Sequence, residues 1–201
     1  MTRGSAATAL VMRYSLPMTA ELEVLQDAVK RLERVGIPYM LTGSIALSYY
    51  AQPRMTRDID LVVELSGRSA KAVAALFSPA YYVAEADVEC AMATQGMFNV
   101  LHLDKVVKLD FIVRKDTAYR LHEFGRRQRI RLPGFEAWIA SREDLILSKL
   151  VWAKDSSSEI QLRDVGALLA GGADRTYLQR WAAELSVAEL LQRTLDAGHN
   201  R

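Results

Sequence analysis

Asp58 and Asp60 stand two residues apart at the head of an apolar run, "DIDLVV", and Asp110 sits inside a second such run, "KVVKLDFIV". In a strand, residues two apart point to the same side. Asp58 and Asp60 therefore project together, roughly 7 Å apart along the backbone, while Ile59, Leu61 and Val63 face a core. Two carboxylates at that separation repel by roughly 2–3 kcal/mol at an effective dielectric of about 20. A divalent cation between them reverses the sign, and carboxylate oxygens suit hard ions such as Mg²⁺ or Mn²⁺. Asp110, between Leu109 and Phe111, also faces away from a core-directed set. If its strand lies beside the first, three carboxylates converge. Such a set can hold metal ions against the attacking and leaving oxygens of a phosphoryl transfer. Gly43-Ser44 falls between a predicted strand and a predicted helix, a junction whose unpaired amides favour phosphate. Glycine permits close backbone approach, and the serine hydroxyl adds a hydrogen bond. Alone, Asp-x-Asp is most simply a solvated strand end and Gly-Ser a turn. Their weight comes from the spacing: Gly-Ser, thirteen residues, Asp-x-Asp, then a later strand aspartate.

The elements that would carry these groups follow from hydrophobic spacing. Leu22, Leu25, Val29, Leu32 and Val35 form one stripe of an amphipathic helix over 19–35, stopped at Gly36. Extended segments are predicted at 38–41, 58–64, 81–84, 97–103, 106–113 and 128–132, with a tight turn at Asp104 and Lys105. Helices are predicted at 43–52, ended by Pro53, at 68–77, and at 85–95, closed by Gly96. Residues 114–127 fit either helix or loop. After about residue 125 helices dominate, near 141–153, 157–170, 174–184 and 186–197, and Ser141 with Asp144 resembles a capping box. Strands interleaved with helices indicate an α+β (α/β) fold, a mixed sheet flanked by helices with a C-terminal helical part. The expected organisation is a loose N-terminal arm over 1–17, a core over 18–125 and a mainly helical subdomain over 126–201.

The 201 residues are half hydrophobic and a quarter charged, with a net charge of +2. That composition is ordinary for a globular chain, and the charge neither demands nor excludes a nucleic-acid partner. A lone cysteine, Cys90, rules out an intrachain disulfide and fits a reducing cytosol. The apolar patch from Ala6 to Met12 is cut by Arg13 and is too short for a secretory signal. No run approaches the roughly 20 apolar residues that span a bilayer. The expected location is the cytoplasm, with no membrane partner.

Gly43-Ser44, Asp58-Ile59-Asp60 and Asp110 together resemble the signature of the DNA polymerase β-type nucleotidyltransferase superfamily. The fuller string "TGSIALSYYAQPRMTRDIDLVV", with Arg54 and Thr56, is similar to the AbiEii-like branch, which holds toxin-type nucleotidyltransferases and uncharacterised relatives. So is "SREDLILSKLVWAKDSSSEIQLRDVGALL", where Lys149 and Asp164 match a lysine on one helix and an aspartate on the next. The likeness covers most of 36–170. It implies a nucleotidyltransferase-like fold, with Asp58, Asp60 and Asp110 as metal ligands and Asp110 also helping to deprotonate the attacking hydroxyl. It further implies that Gly43 and Ser44 hold the triphosphate of an NTP, that Lys149 contacts phosphate and that Asp164 orients Lys149 or the nucleotide. Arg54 and Thr56 would lie near the nucleotide. The implied reaction is Mg²⁺- or Mn²⁺-dependent transfer of a nucleotide to a hydroxyl of RNA or tRNA, of a protein or of a small molecule. A toxin would bring an antitoxin protein as partner. The chain is shorter than typical toxins of this branch, which leaves the acceptor and the toxin role open.

Plainer readings stand beside these. Lys149 lies among apolar residues and could snorkel to water, and Asp164 could pair with Arg163 or Lys154 on the surface. Arg54 and Arg57 could be solvated turn residues. The basic stretch 114–131 reads as a solvated face or as a contact for RNA. His102 and His122 show no partner spacing, Trp138, Trp152 and Trp181 read as core anchors, and Cys90 has no cationic neighbour to activate it. Two competing functions remain. One is a catalytically silent nucleotide-binding or antitoxin-binding protein of the same fold. The other is a phosphatase using the first aspartate as nucleophile, which the preceding Gly-Ser and the following Leu61 disfavour.

Overall fold

A computed structural model describes residues 19–52 and 58–199; the expected N-terminal arm lies outside them. The first amphipathic stripe forms α1 (Ala20–Arg34), capped where Thr19 Oγ1 accepts from the Leu22 amide at 3.3 Å. It buries Val24, Leu25, Ala28, Val29 and Leu32, and the chain leaves it through Gly36 at φ +65°. Two short elements follow, β1 (Tyr39–Leu41) and α2 (Gly43–Tyr50), and then β2 (Asp58–Val63). Next come α3 (Ala70–Phe77), β3 (Tyr81–Tyr82), α4 (Glu85–Thr94), β4 (Met97–His102) and β5 (Val107–Val113). At the end of α4 the left-handed position falls on Gln95, φ +49°, one residue before the glycine expected to close it.

The ambiguous 114–127 stretch contains a helix, α5 (Ala118–Gly125), which is followed by β6 (Gln128–Leu132) and β7 (Phe135–Ile139). β7 is absent from the sequence prediction. "FEAWI" has little alternation to announce a strand; its pairing on both sides supplies the order, as strand formation often requires. A turn at Pro133 and Gly134 (φ +81°) folds β7 back onto β6, and Leu41 of β1 pairs with Ile139 in parallel. The C-terminal helices are α6 (Arg142–Ser156), α7 (Glu159–Ala170), α8 (Arg175–Glu184) and α9 (Ala188–His199).

All seven strands join one mixed sheet, ordered β3-β4-β5-β2-β1-β7-β6. β6 and β7, beyond residue 125, thus extend the same sheet as β1 and β2. The predicted mixed sheet flanked by helices is the observed architecture. Alternation splits the central strands: Ile59, Leu61 and Val63 of β2, with Leu109, Phe111 and Val113 of β5, are buried. α1 packs on both of these strands and on α3. Phe111 stacks on Phe98 and meets Phe77 of α3, each at a centroid distance of 5.2 Å. α2 packs against β2, α6 and α7, so it bridges the sheet and the C-terminal helices. Among the described residues no helix is long and apolar enough to cross a membrane.

Of the three tryptophans, Trp181 is buried against Tyr119 and His122, and Trp138 is half-buried beneath Arg127. Trp152, expected in the core, is instead 54% exposed, because its side of α6 meets a cavity rather than another element. The aromatic stack on the core face sets a stability expectation. Phe111→Ala should cost about 3–5 kcal/mol, read as a lower urea midpoint with an unchanged m-value.

Candidate active site

The polar face of β2 and β5 is the inverse of their core face. The parallel register sets Asp60 directly beside Asp110 and Asp58 beside Lys108. On the other flank the β4–β5 hairpin sets Asn99 opposite Asp110. Its side-chain amide donates to Asp110 Oδ1 at 2.5 Å. Lys108 Nζ lies 3.0 Å from Asp110 Oδ2 and 3.7 Å from Asp58 Oδ1, and the bond to Asp110 pushes the ammonium's pKa up. Burial, then the neighbouring Asp110, raises the pKa of Asp60 above the usual carboxylate value. The Ser44 backbone N–H, which donates to Asp60, and the positive charge of Lys149 act in the opposite direction.

Gly43 starts α2 at φ +61°, a conformation that favours glycine. Space gives a second reason: a Cβ there would fall 2.8 Å from Asp60 Cβ and would overlap the carboxyl group. Glycine therefore lets the turn before α2 press against Asp60. Thr42, at the N-cap, makes no side-chain capping bond.

Lys149 and Asp164 depart from their plainer readings, since both are buried. Lys149 Nζ donates to Asp164 Oδ2 at 2.7 Å and to Gln161 Oε1 at 3.0 Å. Aspartate 164 thus joins α7 to α6 in place of a surface pair with Arg163 or Lys154. α6 itself is fixed at its start by buried Asp144. That carboxylate accepts from Ser141 Oγ at 2.6 Å, from Tyr177 OH at 2.5 Å and from Arg126 Nε at 3.1 Å. The predicted Ser141 cap forms, with the Asp144 carboxylate reaching the serine hydroxyl.

Gly43, Ser44, Asp58, Asp60, Asp110 and Lys149 all line one cavity of about 380 Å³, within the usual size range of small-molecule sites. Arg54 and Thr56 lie outside the described residues. Much of the basic stretch is engaged within the chain. Arg114 pairs with Glu64 and Asp116, Arg126 with Asp144 and Glu143, and Arg129 with Glu136 and Glu33. Sequence reading missed Asn99 and Lys108. A hairpin closed at Asp104 and Lys105 already sets Asn99 opposite Asp110, and Lys108 precedes Asp110 by the two residues that share a strand face. It also missed a polar cluster on the cavity wall, where Ser148 Oγ donates to buried Glu123 at 2.7 Å and Arg120 donates to Glu123 at 2.8 Å.

Among the described residues no three His, Cys, Asp or Glu side chains are gathered into a ready-made metal cage. The donor chemistry nevertheless fits a divalent cation. Asp58, Asp60 and Asp110 offer hard oxygens to one cavity, and the pKa of Asp60 is raised by burial first and by Asp110 second, both of which a bound cation would oppose. Lys108 supplies part of that compensation from within the chain.

The chain matches a family described as "Nucleotidyl transferase AbiEii toxin, Type IV TA system" over residues 31–197. No curated protein matches it in sequence. Among solved structures, an antigenic nucleotidyltransferase-like protein from Paracoccidioides brasiliensis is similar at TM-score 0.59 and 16% identity, over 89% of this chain and 90% of that one. ANT(2″)-Ia in complex with adenylyl-2″-tobramycin is similar at TM-score 0.54 and 14% identity, over 89% of this chain and 99% of that one. At these identities the structural likeness speaks for the fold.

The electrostatics give two expectations. A carboxylate whose pKa is raised by folding opposes folding when ionised and stops doing so when protonated. Metal-free Asp60→Asn should therefore melt about 2–4 °C above the wild type at neutral pH. That gap should narrow as the pH falls into the ordinary aspartate range. Removing the counter-charge of buried Lys149 acts oppositely: Asp164→Ala should cost about 3–5 kcal/mol in urea unfolding.

Proposed function

Because the chain belongs to the nucleotidyl transferase AbiEii family, we propose that this cavity transfers a nucleotide from an NTP to a hydroxyl acceptor. The observation that carries the reading is the placement of Asp60 beside Asp110, facing a cavity that Ser44 and Lys149 also line. In this mechanism the Ser44 end of α2 and the Lys149 ammonium hold the triphosphate by charge and hydrogen bonds. Asp164, bonded to Lys149, fixes where that ammonium points. Asp58, Asp60 and Asp110 would hold Mg²⁺ or Mn²⁺, which supplies charge neutralisation at the phosphates. Asp110, oriented by Asn99 and Lys108, receives the proton of the attacking hydroxyl. The new bond joins that oxygen to the α-phosphorus, the α–β bridging bond breaks, and pyrophosphate leaves. Arg54 and Thr56, which directly precede β2 in sequence, would approach the nucleotide.

The acceptor is RNA or tRNA, a protein hydroxyl or a small molecule. ANT(2″)-Ia with adenylyl-2″-tobramycin illustrates the last on a similar fold. The family's description supports an antitoxin as protein partner and a toxin role. A catalytically silent nucleotide binder or antitoxin binder is the second reading. Against it stands the register that keeps Asp60 beside Asp110 in a partly buried site, an unfavourable placement that a non-catalytic site has no reason to keep.

The test is incubation with each α-labelled NTP, Mg²⁺ and total RNA or cell lysate. Wild type should label one acceptor class and release pyrophosphate, and Asp58→Asn should slow transfer by on the order of 10²–10³-fold with the fold intact. Undiminished transfer by Asp58→Asn would refute the assignment of the carboxylates. Nucleotide binding with no product would favour the silent reading.

A further inference from the structure

α6 turns one side to the cavity, and Leu145, Ser148, Lys149 and Trp152 all line it. They recur at the three- and four-residue spacing that aligns side chains along a helix. Three of them are engaged. Leu145 is core, Ser148 bonds Glu123, and Lys149 is held by Asp164 and Gln161. Trp152 is different. Its side chain is 54% exposed, and among the described residues the indole has no hydrogen-bond, ring or cation partner. Tryptophan offers the largest apolar face of any side chain; Trp181 is buried and Trp138 is half-buried beneath Arg127. An uncovered indole on the wall of a phosphate-suited cavity marks a place for a flat ligand.

The neighbours of Trp152 say which part of a ligand reaches it. Lys149 lies three residues earlier on α6, a rise of about 4.5 Å, and its charge is felt by Asp60. Phosphate held between the Ser44 side chain and Lys149, which line the same cavity, therefore lies about a helical turn from the indole. Gln161 borders the same cavity, with its Oε1 facing Lys149 at 3.0 Å. Lysine only donates, so the amide orientation is fixed and the two Nε2 hydrogens are left for a ligand. Among the described residues they have no partner.

We infer that Trp152 and Gln161 form the nucleobase subsite of this cavity: the indole stacks on the base, and Gln161 Nε2 donates to a ring nitrogen or carbonyl on the base edge. This rests on the nucleotidyl-transfer reading above. Stacking accepts any base, because every base has a π-face. Discrimination between bases falls to the Gln161 donor pair, and phosphate binding falls to Ser44 and Lys149.

The full chain with Mg²⁺ is titrated by calorimetry and tryptophan fluorescence with ATP, GTP, CTP, UTP and inorganic tripolyphosphate. The expected result is that at least one NTP quenches emission and binds more tightly than tripolyphosphate, which leaves emission unchanged. Trp152→Ala should abolish the quenching and weaken that NTP about tenfold, with tripolyphosphate affinity kept within about twofold; Trp152→Phe, which keeps a ring, should retain most of the affinity. Gln161→Glu, which keeps an oxygen toward Lys149 but removes the donor, should change the order of preference among the four NTPs. If Trp152→Ala binds the NTP as tightly as wild type, or loses NTP and tripolyphosphate alike, the subsite assignment is overturned while nucleotidyl transfer stands. If wild type binds none of the five, both readings fall.

Discussion

Asp60 lies beside Asp110 and against the turn at Gly43. The parallel register sets the two carboxylates side by side, and the Gly43 turn approaches Asp60 so closely that a Cβ there would overlap its carboxyl group. The arrangement is held by the opposite face of the same strands, where Ile59, Leu61, Leu109 and Phe111 are buried. Burying such side chains contributes about 1.5–3 kcal/mol each. A few core residues therefore offset the local repulsion, so the sheet can hold a charge arrangement that the side chains alone would not adopt. Neutralisation comes from several directions: Lys108 and Asn99 at Asp110, and the Ser44 amide and the Lys149 charge at Asp60.

The second half of the cavity is as firmly placed as the first. Asp144 anchors the start of α6 through Ser141, Tyr177 and Arg126. One turn and a half later, α6 delivers Lys149 to Asp164 of α7. A buried pair of this kind is weak evidence for net stability but restricts geometry strongly, because either charge left alone would be costly. α2 touches β2, α6 and α7, and Tyr50 at its end donates to the Ala140 carbonyl at 2.8 Å. The glycine turn, the carboxylate strands and the lysine helix are thereby parts of one packed unit.

Much of this was legible in the sequence because it depends on local periodicity. Two-residue alternation set Asp58, Asp60 and Asp110 opposite their core neighbours, and helical spacing gave α1, α3 and the four C-terminal helices. What stayed hidden depends on partners distant in sequence. β7 gains its order from β1 and β6 rather than from its own composition, and for Lys149 and Asp164 the residues alone left a surface reading beside the role the family resemblance implied, until the packing of α6 on α7 brings the two together. Trp152 carries no local mark of exposure, since hydrophobicity alone assigns any tryptophan to a core. Lys108 and Asn99 were one register calculation away: once β5 is flanked by β2 and β4, their places beside Asp58 and Asp110 follow.

The contact between Gly43 and Asp60 has a bearing on the whole lineage. A single added methyl group there would displace the Asp60 carboxylate without replacing any acid in the site. On the proposed mechanism, a sorting of such proteins by their aspartates alone would then count silenced copies as working ones. Position 43 offers a separate criterion: a homologue with every acid intact but a bulkier residue at this turn is the one to suspect of having become a decoy.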